Sequence, residues 1–326
     1  MKLAALIVCH NSGQNVCALV EDLRAQTTPP AVILIVDNAS TEGTQHLLKQ
    51  LEQAHASVHV FYQTQNTGGA GGYHRGFVEF NQCKEGCDAL VTFDDDARAK
   101  DPALLETLLK QHEKQPDAVV GALVVDLDDE TKTAFSYKLG DKRSRDVATL
   151  RRYQGLLQDV KLFSGVLFPR SVTQSFPGPK PELFIRGDEQ ELKQRLEKAG
   201  ITLVTTPAAR CFHPSSQGEV IHCKNIRVFT ESSPGKYYFI VRNWAYLMRE
   251  HPRHSRFVRS RILLKTLAAN AYFILFKSPR EKTHGLRWFY RAFSDGVNRR
   301  FDTVAKAQAA EFLDKARSIS SKQYSE

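Results

Sequence analysis

The stretch Asp88-Ala-Leu-Val-Thr-Phe-Asp-Asp-Asp-Ala97 joins a short apolar run to three consecutive carboxylates. The run from Ala89 to Phe93 has the length and the valine and phenylalanine content of a buried strand. Carboxylates at the carboxyl end of such a strand lie on the rim of an α/β sheet, where these sheets bind ligands. Asp94, Asp95 and Asp96 repel one another unless a cation such as Mg²⁺ or Mn²⁺ accepts their oxygens as ligands. A solvated acidic turn that precedes a helix is the alternative.

The chain before this strand predicts a parallel α/β sheet. Strand-like apolar runs cover residues 3–8, 31–36 and 58–62, and apolar residues at helical spacing lie between them. This β-α-β-α-β order over about 60 residues is typical of a doubly wound, mostly parallel sheet. His10 lies in the polar turn after the first run. Asp37 ends the second, where its carboxylate could accept a hydrogen bond from a base or a ribose.

A glycine-rich segment, residues 66–76, precedes the acidic strand. Five of the nine residues 68–76 are glycine, which costs chain entropy unless the backbone must approach another group closely. Exposed amides at the start of a helix suit phosphate, and Arg75 could add a positive charge for the same anion. The segment lacks the Gly-Lys-Ser/Thr end of a P-loop and misses the dinucleotide fingerprint. A flexible loop is the other interpretation.

Three of these segments, in this order, resemble the family 2 glycosyltransferases with a GT-A fold. They are Asp37-Asn-Ala-Ser40, Asn66-x-Gly-Gly-x-Gly-Gly and Phe93-Asp-Asp-Asp96. The resemblance implies that Asp37 contacts the nucleotide base and that Asp94 and Asp96 hold a metal ion on the donor diphosphate. It also implies that Asp95 lies nearer the nucleotide sugar. The predicted donor-binding residues are His10, Asp37, Asn66, Gly69, Gly72, Arg75 and Asp95.

A second acidic segment, Gly187-Asp-Glu-Gln-Glu191, begins a predicted helix. Acids in a first helical turn also complement the helix dipole, so the segment alone indicates little. It resembles the acceptor-site motif of the same family, in which an acid takes the proton from the acceptor hydroxyl and an arginine follows, here Arg195. Aligned on Glu191, the resemblance implies that Glu189 is this base, with Asp188 as its close rival.

A histidine is the third predicted metal ligand. Cys211-Phe-His-Pro214 follows a predicted strand, and although a lone histidine is more often structural, the family resemblance places a metal-binding histidine here. A histidine beside two carboxylates suits Mn²⁺ better than Ca²⁺. The predicted ligands are therefore Asp94, Asp96 and His213, with His222 as the alternative histidine. The predicted cofactor is Mn²⁺ or Mg²⁺.

The C-terminal part, residues 237–326, predicts a helical extension to a catalytic domain of residues 1–236. Tyr237-Tyr-Phe-Ile-Val-Arg-Asn-Trp244 resembles a pattern of bacterial family members that build surface polysaccharide, including galactofuranosyl- and rhamnosyltransferases. Between Arg242 and Phe301, fourteen Lys and Arg residues stand against three acids, with aliphatic and aromatic residues among them. Basic amphipathic helices of this kind bind anionic lipid surfaces. Helices that pack on the catalytic domain and turn a basic face outward are the other interpretation.

Composition restricts the class of protein further. With 326 residues, 42% of them hydrophobic, the chain is globular. Six cysteines without a paired Cys-x-x-Cys motif predict free thiols. The apolar run at residues 3–8 is too short to span a bilayer and lacks a cleavage signature, which predicts a cytoplasmic protein. Together with the basic helices, this predicts a location at the inner face of the membrane. A net charge of +9 alone would suit nucleic acid, but the basic residues lie among aliphatic side chains instead of stacking aromatics, so no nucleic-acid partner is predicted.

The resemblance implies a metal-dependent, inverting glycosyltransferase that uses a nucleotide diphosphate sugar and extends a lipid-linked glycan or glycolipid. UDP-galactofuranose is the favoured donor because Phe93-Asp-Asp-Asp96 together with Arg186-Gly-Asp-Glu189 resembles that group more. dTDP-rhamnose is the alternative donor. A sugar-phosphate nucleotidyltransferase would share the sheet, the glycine-rich segment and the metal acids, but it has no use for the acidic segment at 187–191.

Overall fold

The computed structural model describes most of the chain in two compact units. The described residues are 1–153, 155–215, 220–223, 226–231, 233–251, 254–277, 282–304 and 306–313, without the side chains of 222 and 223. One unit comprises Met1–Pro181 with Arg195–Ser216, and the other comprises Glu182–Gln194 with Gln217–Glu326. The second unit thus includes residues 182–194 and 217–236, which the sequence prediction placed in the catalytic domain.

A nine-stranded sheet with flanking helices forms the first unit. Its strands are β1 (Leu3–Cys9), β2 (Val32–Asp37), β3 (Val58–Tyr62), β4 (Ala89–Asp94), β5 (Val119–Asp126), β6 (Lys132–Leu139), β7 (Lys142–Asp146), β8 (Ser164–Pro169) and β9 (Leu203–His213). Its helices are α1 (Gly13–Arg24), α2 (Glu42–Ala54), α3 (Gly68–Gln82), α4 (Leu104–Lys114), α5 (Val147–Arg152) and α6 (Arg170–Ser175). Helix α7 (Asp188–Lys198) begins in the residues of the second unit and ends in those of the first.

The strand order is β3-β2-β1-β4-β8-β5-β6-β7, and β9 pairs with β5. Strands β1 to β4 are mutually parallel, as are β5 and β9, whereas β8 runs antiparallel to both β4 and β5. The predicted doubly wound, mostly parallel sheet is therefore confirmed. The first two strands are buried along their whole length, because parallel strands covered on both faces must be apolar throughout.

Strand register collects the polar ends of three strands at one edge of the sheet. Cys9 of β1 pairs with Asp37 of β2, and Val8 pairs with Asp94 of β4. The residues that follow these strands must therefore emerge beside one another, as sheets of this class require of a ligand site.

The glycines of segment 66–76 allow helix α3 to pack closely against β1. A Cβ atom on Gly72 would lie 2.3 Å from Val8 Cγ1, and one on Gly76 would lie 2.4 Å from Leu6 Cδ1. Both distances are shorter than any real contact, so a side chain at either position would push the helix off the strand. The segment is thus not a flexible loop, and close approach to the protein's own strand accounts for these two glycines.

The second unit combines a hairpin with three helices. Strands β10 (Val220–Cys223) and β11 (Ile226–Phe229) pair antiparallel, and α8 (Pro234–Glu250), α9 (Arg256–Phe276) and α10 (Lys282–Val297) follow. An aromatic cluster forms their core: Phe184, Phe229, Tyr237, Tyr238, Phe239, Trp244, Trp288 and Phe289. The predicted C-terminal helical extension is confirmed. Within the described residues, none of the helices has the length and apolar character needed to cross a membrane.

Candidate active site

The structure brings the three predicted metal ligands together in the first unit. Asp94 ends β4, Asp96 follows two residues later, and His213 ends β9. The His213 Nε2 atom lies 3.1 Å from Asp96 Oδ1 and 3.7 Å from Asp94 Oδ2. The alternative ligand, His222, belongs to β10, but its side chain is outside the described residues.

A backbone carbonyl orients the His213 ring. The Nδ1 atom lies 2.7 Å from the carbonyl oxygen of Pro214. Because a carbonyl oxygen can only accept, Nδ1 must carry the hydrogen and donate it. The Nε2 atom is thereby directed at the two carboxylates, which is how metal-binding histidines are usually held in place.

The charges of this cluster are strongly coupled. Burial raises the pKa of Asp94 to about 7, although the neighbouring His213 acts in the opposite direction. Burial also disfavours the charged form of His213, but its hydrogen bond to Asp96 and the charges of both carboxylates prevail and raise its pKa to about 9. For Asp96 the effect of burial is likewise outweighed by the hydrogen bond and charge of His213, so its pKa is lowered. A protonated imidazole thus balances the carboxylates, and a metal ion would displace that proton.

The donor atoms of the cluster fit a hard divalent cation. Neighbouring ligands of an octahedral ion at bond lengths of roughly 2.1 Å lie about 3 Å apart. The contact of His213 with Asp96 has this spacing, and that with Asp94 is longer. In the part of the chain that the structure describes, no three histidine, cysteine or carboxylate side chains already form a metal cluster. Two carboxylates and one imidazole are nevertheless ligand types that suit Mn²⁺ or Mg²⁺.

Two hydroxyl groups hold the Asp94 carboxylate in place. Tyr73 Oη donates to Asp94 Oδ1 at 2.7 Å, and Ser164 Oγ donates to Oδ2 at 3.2 Å. The Tyr73 ring stacks on Phe163 with 3.8 Å between ring centroids. Phe163 has a φ of 71°, a conformation that costs energy in a residue with a side chain. A strained backbone conformation of this kind persists only where contacts with neighbouring residues enforce it. Neither Tyr73 nor Phe163 was predicted as a site residue from the sequence.

Replacing Tyr73 with phenylalanine should weaken the binding of the metal without unfolding the protein. The ring stack on Phe163 persists, but Asp94 loses a hydrogen bond that orients it, and such supporting bonds are worth roughly 10- to 100-fold in metal affinity. We expect half-maximal activation at a correspondingly higher Mn²⁺ concentration. Tyr153→Phe, which removes a hydroxyl from an exposed side chain, is the control. An unchanged Mn²⁺ titration would show that Tyr73 has no part in positioning Asp94.

Predicted donor-binding residues lie at the same edge of the sheet. The Asp95 carboxylate accepts a hydrogen bond from the His10 amide at 3.1 Å, and His10 Nδ1 lies 2.9 Å from the carbonyl oxygen of Asn38. Asp37 is fully buried, and it accepts from the Ser40 amide and from Gln45 Nε2. Its carboxylate therefore stabilises its own turn, and its predicted contact with a base remains a prediction.

Asn38 connects the end of β2 and the start of α3. Its Nδ2 donates to Asn66 Oδ1 at 3.1 Å and to the Gly68 carbonyl at 2.9 Å, and its Oδ1 accepts from the Thr67 amide. This side chain is buried and was missed as a site residue, although the Asp-Asn-Ala-Ser pattern contains it. It fixes the turn whose amides precede the helix.

The remaining donor-binding predictions fall in different surroundings. Gly69 is partly exposed at the start of α3, whereas Gly72 is buried against β1. The guanidinium of Arg75, predicted to bind a phosphate, pairs with Glu79 one turn further along α3, with its Nε 2.5 Å from Oε1. Contact of any of these residues with a donor remains a prediction.

The two candidate bases begin helix α7 within the residues of the second unit. Asp188 is buried, and burial raises the pKa of its carboxyl group to about 6. A carboxylate with a pKa raised toward neutrality is suited to accept a proton. Glu189 is exposed, which favours access by an acceptor. The guanidinium of Arg195 donates to the Gly178 carbonyl at 2.7 Å within the first unit.

Arg242 and Asn243 of α8 hold the loop that leads into Asp188. Both side chains are fully buried. Arg242 Nη2 donates to the Leu183 carbonyl at 2.7 Å, and Asn243 Nδ2 donates to the carbonyls of Leu183 and Ile185, each at 2.9 Å. The loop contains positive φ angles at Phe184, Arg186 and Gly187, and such strain persists only when neighbouring groups enforce it. The arginine-asparagine pair in the Tyr237–Trp244 pattern thus has a structural role within this unit.

Known proteins resemble this chain in sequence and in fold. The family described as "Glycosyl transferase family 2" matches residues 4–172. Galactofuranosyltransferase GlfT1 from Mycobacterium tuberculosis is 32% identical over 251 residues, which cover 76% of this chain and 82% of that protein. S. aureus TarS 1-349 superposes with a TM-score of 0.54 at 14% identity, covering 92% of this chain and 82% of that one. Mannosyltransferase PcManGT from Pyrobaculum calidifontis, in complex with GDP-Man and Mn²⁺, gives 0.52 at 13% identity, covering 98% and 80%.

The structural likenesses support the GT-A-like fold, and the sequence matches support the family. Since the family model matches residues 4–172 and a galactofuranosyltransferase is 32% identical over 76% of the chain, the open alternative of a sugar-phosphate nucleotidyltransferase is wrong. This chain belongs to glycosyl transferase family 2 and is a glycosyltransferase.

Proposed function

We propose that the enzyme transfers galactofuranose from UDP-galactofuranose to a hydroxyl group of a growing, lipid-linked glycan. The observation that carries the reaction class is the convergence of Asp94, Asp96 and His213 at the sheet edge beside the start of α3. The choice of sugar rests on the likeness to galactofuranosyltransferase GlfT1 over three quarters of the chain.

The proposed ligands of Mn²⁺ or Mg²⁺ are Asp94, Asp96 and His213. The metal ion would neutralise the charge that develops on the leaving diphosphate. The chain supplies the orientation of these ligands. Tyr73 and Ser164 fix Asp94 through both of its carboxylate oxygens, and the Pro214 carbonyl directs Nε2 of the histidine inward. The complex of mannosyltransferase PcManGT with GDP-Man and Mn²⁺ supports a metal of this kind in the fold.

We propose that the donor is bound by the residues predicted for it from the sequence: His10, Asp37, Asn66, Gly69, Gly72, Arg75 and Asp95. The bonds of Asn38 to Asn66, Thr67 and Gly68 support this proposal, because they fix the amides at the start of α3. Helix starts of this kind favour phosphate. In the same way, the bond of Asp95 to the His10 amide links the ends of β4 and β1 on the donor side.

The acceptor hydroxyl is proposed to lose its proton to Glu189 or Asp188. Its oxygen attacks the anomeric carbon from the face opposite the leaving group, the new carbon-oxygen bond forms, and the bond to the diphosphate breaks. This single displacement inverts the anomeric centre and needs no covalent intermediate. Burial and a raised pKa support Asp188, whereas the alignment of the acidic segment and its exposure support Glu189.

A donor panel tests the proposed substrate. Thermal unfolding of the protein would be followed with UDP-galactofuranose, UDP-galactopyranose and dTDP-rhamnose, each with and without Mn²⁺. Since a ligand that binds only the folded state raises the midpoint, UDP-galactofuranose with Mn²⁺ should give the largest shift. A larger shift with dTDP-rhamnose would instead identify the alternative donor, and the proposal of galactofuranose would be abandoned.

We further propose that the enzyme works at the cytoplasmic face of a membrane. Helix α9 exposes large apolar side chains along its length: Phe257 (76% exposed), Leu264 (66%), Tyr272 (59%) and Phe276 (68%). Arg261 and Lys265 are exposed among them. An exposed apolar stripe flanked by basic residues suits the interface of an anionic bilayer.

Four glutamine substitutions on helix α9 should release the protein from anionic liposomes. They replace Arg256, Arg259, Arg261 and Lys265. Each basic residue near such a surface contributes about 1 kcal/mol, and salt screens the attraction beyond about 8 Å at physiological ionic strength. Co-sedimentation with liposomes should therefore fall in the variant and with rising salt. The control neutralises four exposed lysines of the first unit, Lys84, Lys114, Lys138 and Lys142. If the wild-type protein does not bind anionic liposomes at low salt, the basic helices only pack within the protein and the proposed membrane association is wrong.

A further inference from the structure

An arginine-lined cavity of about 430 Å³ lies in the second unit, and none of the residues given a role above in donor or metal binding lines it. It is open to solvent and is lined by residues at the end of α8, in the first half of α9 and at the end of α10, with Arg299 just beyond α10. Its arginines are Arg249, Arg256, Arg259 and Arg299. Among the described residues that line it, Glu250 is the acid. Cavities of this size are typical of sites for small ligands.

Contacts within the unit hold three of these guanidinium groups at the cavity. Arg299 donates twice to Glu250 Oε1, at 2.7 and 3.0 Å. Arg249 donates to the Val297 carbonyl, and Arg259 donates to the Arg249 carbonyl. A guanidinium has five N–H donors, more than these contacts use. The groups are therefore both fixed in position and able to donate to a ligand.

The charge of the cavity selects the class of ligand. Four guanidinium groups around one carboxylate leave an excess of positive charge, which an anion among them would offset. Arg256 is also the first residue of α9, and the N-terminus of a 21-residue helix adds partial positive charge. Guanidinium groups match phosphate oxygens in pairs. A phosphate or diphosphate group satisfies both the charge and the geometry.

Exposed apolar side chains adjoin the arginines on the same helix. Phe257 follows Arg256 directly, and Leu264 follows Leu263, which lines the cavity. A ligand with its phosphate in the cavity would thus have an apolar surface beside it. We propose that this cavity binds the phosphate or diphosphate group of an amphiphilic ligand. The anion site stands on the cavity alone, and the lipid source of the phosphate rests on the membrane association proposed above.

The test compares two charge reversals on helix α9, Arg256→Glu and Arg261→Glu. Both change the net charge equally and both positions are exposed, but Arg261 does not line the cavity. In one arm, inorganic pyrophosphate is titrated into the full chain by calorimetry without divalent ions, so that the proposed metal-dependent donor site is silent. In the other, the protein is mixed with phosphatidylcholine vesicles that contain a minor fraction of phosphatidate.

We expect Arg256→Glu to weaken pyrophosphate binding about tenfold or more, which corresponds to roughly 1.4 kcal/mol, while Arg261→Glu stays close to wild type. With vesicles both variants should bind more weakly, because Arg261 also belongs to the basic residues proposed to contact anionic lipid. A loss for Arg256→Glu that clearly exceeds the loss for Arg261→Glu would assign the phosphate to a lipid, and a difference between the variants with pyrophosphate alone would assign it to a free diphosphate. Equal behaviour of the two variants in both arms, including no binding by any of the proteins, would overturn the proposal. Thermal unfolding checks the fold, with Arg256→Gln as the milder substitute. Sugar transfer by the wild type to a soluble acceptor is measured separately, so failure here leaves the proposed reaction untouched.

Discussion

Replacing Asp96 with alanine should abolish metal-dependent sugar transfer while the protein remains folded. The carboxylate is 3.1 Å from His213 Nε2 and would be one of three metal ligands. A metal on a leaving diphosphate supplies several kcal/mol of transition-state stabilisation, so we expect kcat/KM to fall about 10³-fold or more, roughly 4 kcal/mol. Donor affinity should also become independent of Mn²⁺.

The measurement is a Mn²⁺ titration of transfer and of donor binding, with Asp141→Ala as the control. Asp141 is an exposed aspartate between β6 and β7, and its loss should change neither quantity. If Asp96→Ala retained full stimulation by Mn²⁺, the metal would have to bind elsewhere.

A second large effect is expected at the start of helix α7. Loss of a general base costs about 10²- to 10⁴-fold in turnover. We therefore expect either Asp188→Asn or Glu189→Gln to lose turnover on this scale. Donor affinity should change little, because an amide has nearly the same size and shape as the carboxyl group that it replaces. The two amides are mutual controls, since each leaves the neighbouring acid in place. Full turnover in both variants would exclude the segment as the source of the base.

The dependence of turnover on pH separates the two candidates further. Burial raises the pKa of Asp188 to about 6, and a base must be deprotonated to act. If Asp188 is the base, wild-type turnover falls as the pH drops through about 6, and Asp188→Asn removes the activity above that pH. The same variant should not be destabilised at neutral pH, because it relieves the burial of an ionised carboxylate.

The sheet and the position of Asp94 at its edge could be predicted because local sequence determines them. Fully buried parallel strands must be apolar from end to end, as β1 and β2 are, so the runs are visible without any knowledge of their partners. A carboxylate that directly follows such a run must lie at the sheet edge. Asp94 therefore followed from the sequence of a single strand, and His213 followed from the family resemblance.

Residues that support the site could not be predicted, because their contacts connect distant parts of the chain. Tyr73 is 21 positions from Asp94 in the sequence, and Ser164 is 70 positions from it. No local pattern encodes either hydrogen bond. For the glycine-rich segment, the sequence indicated the kind of contact but not the partner. Its composition correctly indicated a close approach of the backbone, but it could not say that β1 is the element approached by Gly72 and Gly76.

The basic C-terminal region illustrates the same limit. Counting charges predicts a positively charged surface, and it treats Arg256 and Arg261 alike. Only the fold places Arg256 with Arg249 and Arg299 around one cavity that Arg261 does not line. Likewise, no local pattern encodes the hydrogen bonds that Arg242 and Asn243 donate to the carbonyl groups of Glu182 and Leu183, about 60 positions earlier in the chain.

The most direct measurement is the structure of the product formed from UDP-galactofuranose. Wild-type enzyme would be incubated with this donor, Mn²⁺ and a short galactofuranose-containing acceptor, and the product examined by mass spectrometry and NMR. We predict a product one hexose larger, with the anomeric configuration opposite to that of the donor, and no product after chelation of the metal. Transfer from dTDP-rhamnose but not from UDP-galactofuranose, retained configuration, or full activity in the presence of a chelator would contradict the proposed reaction.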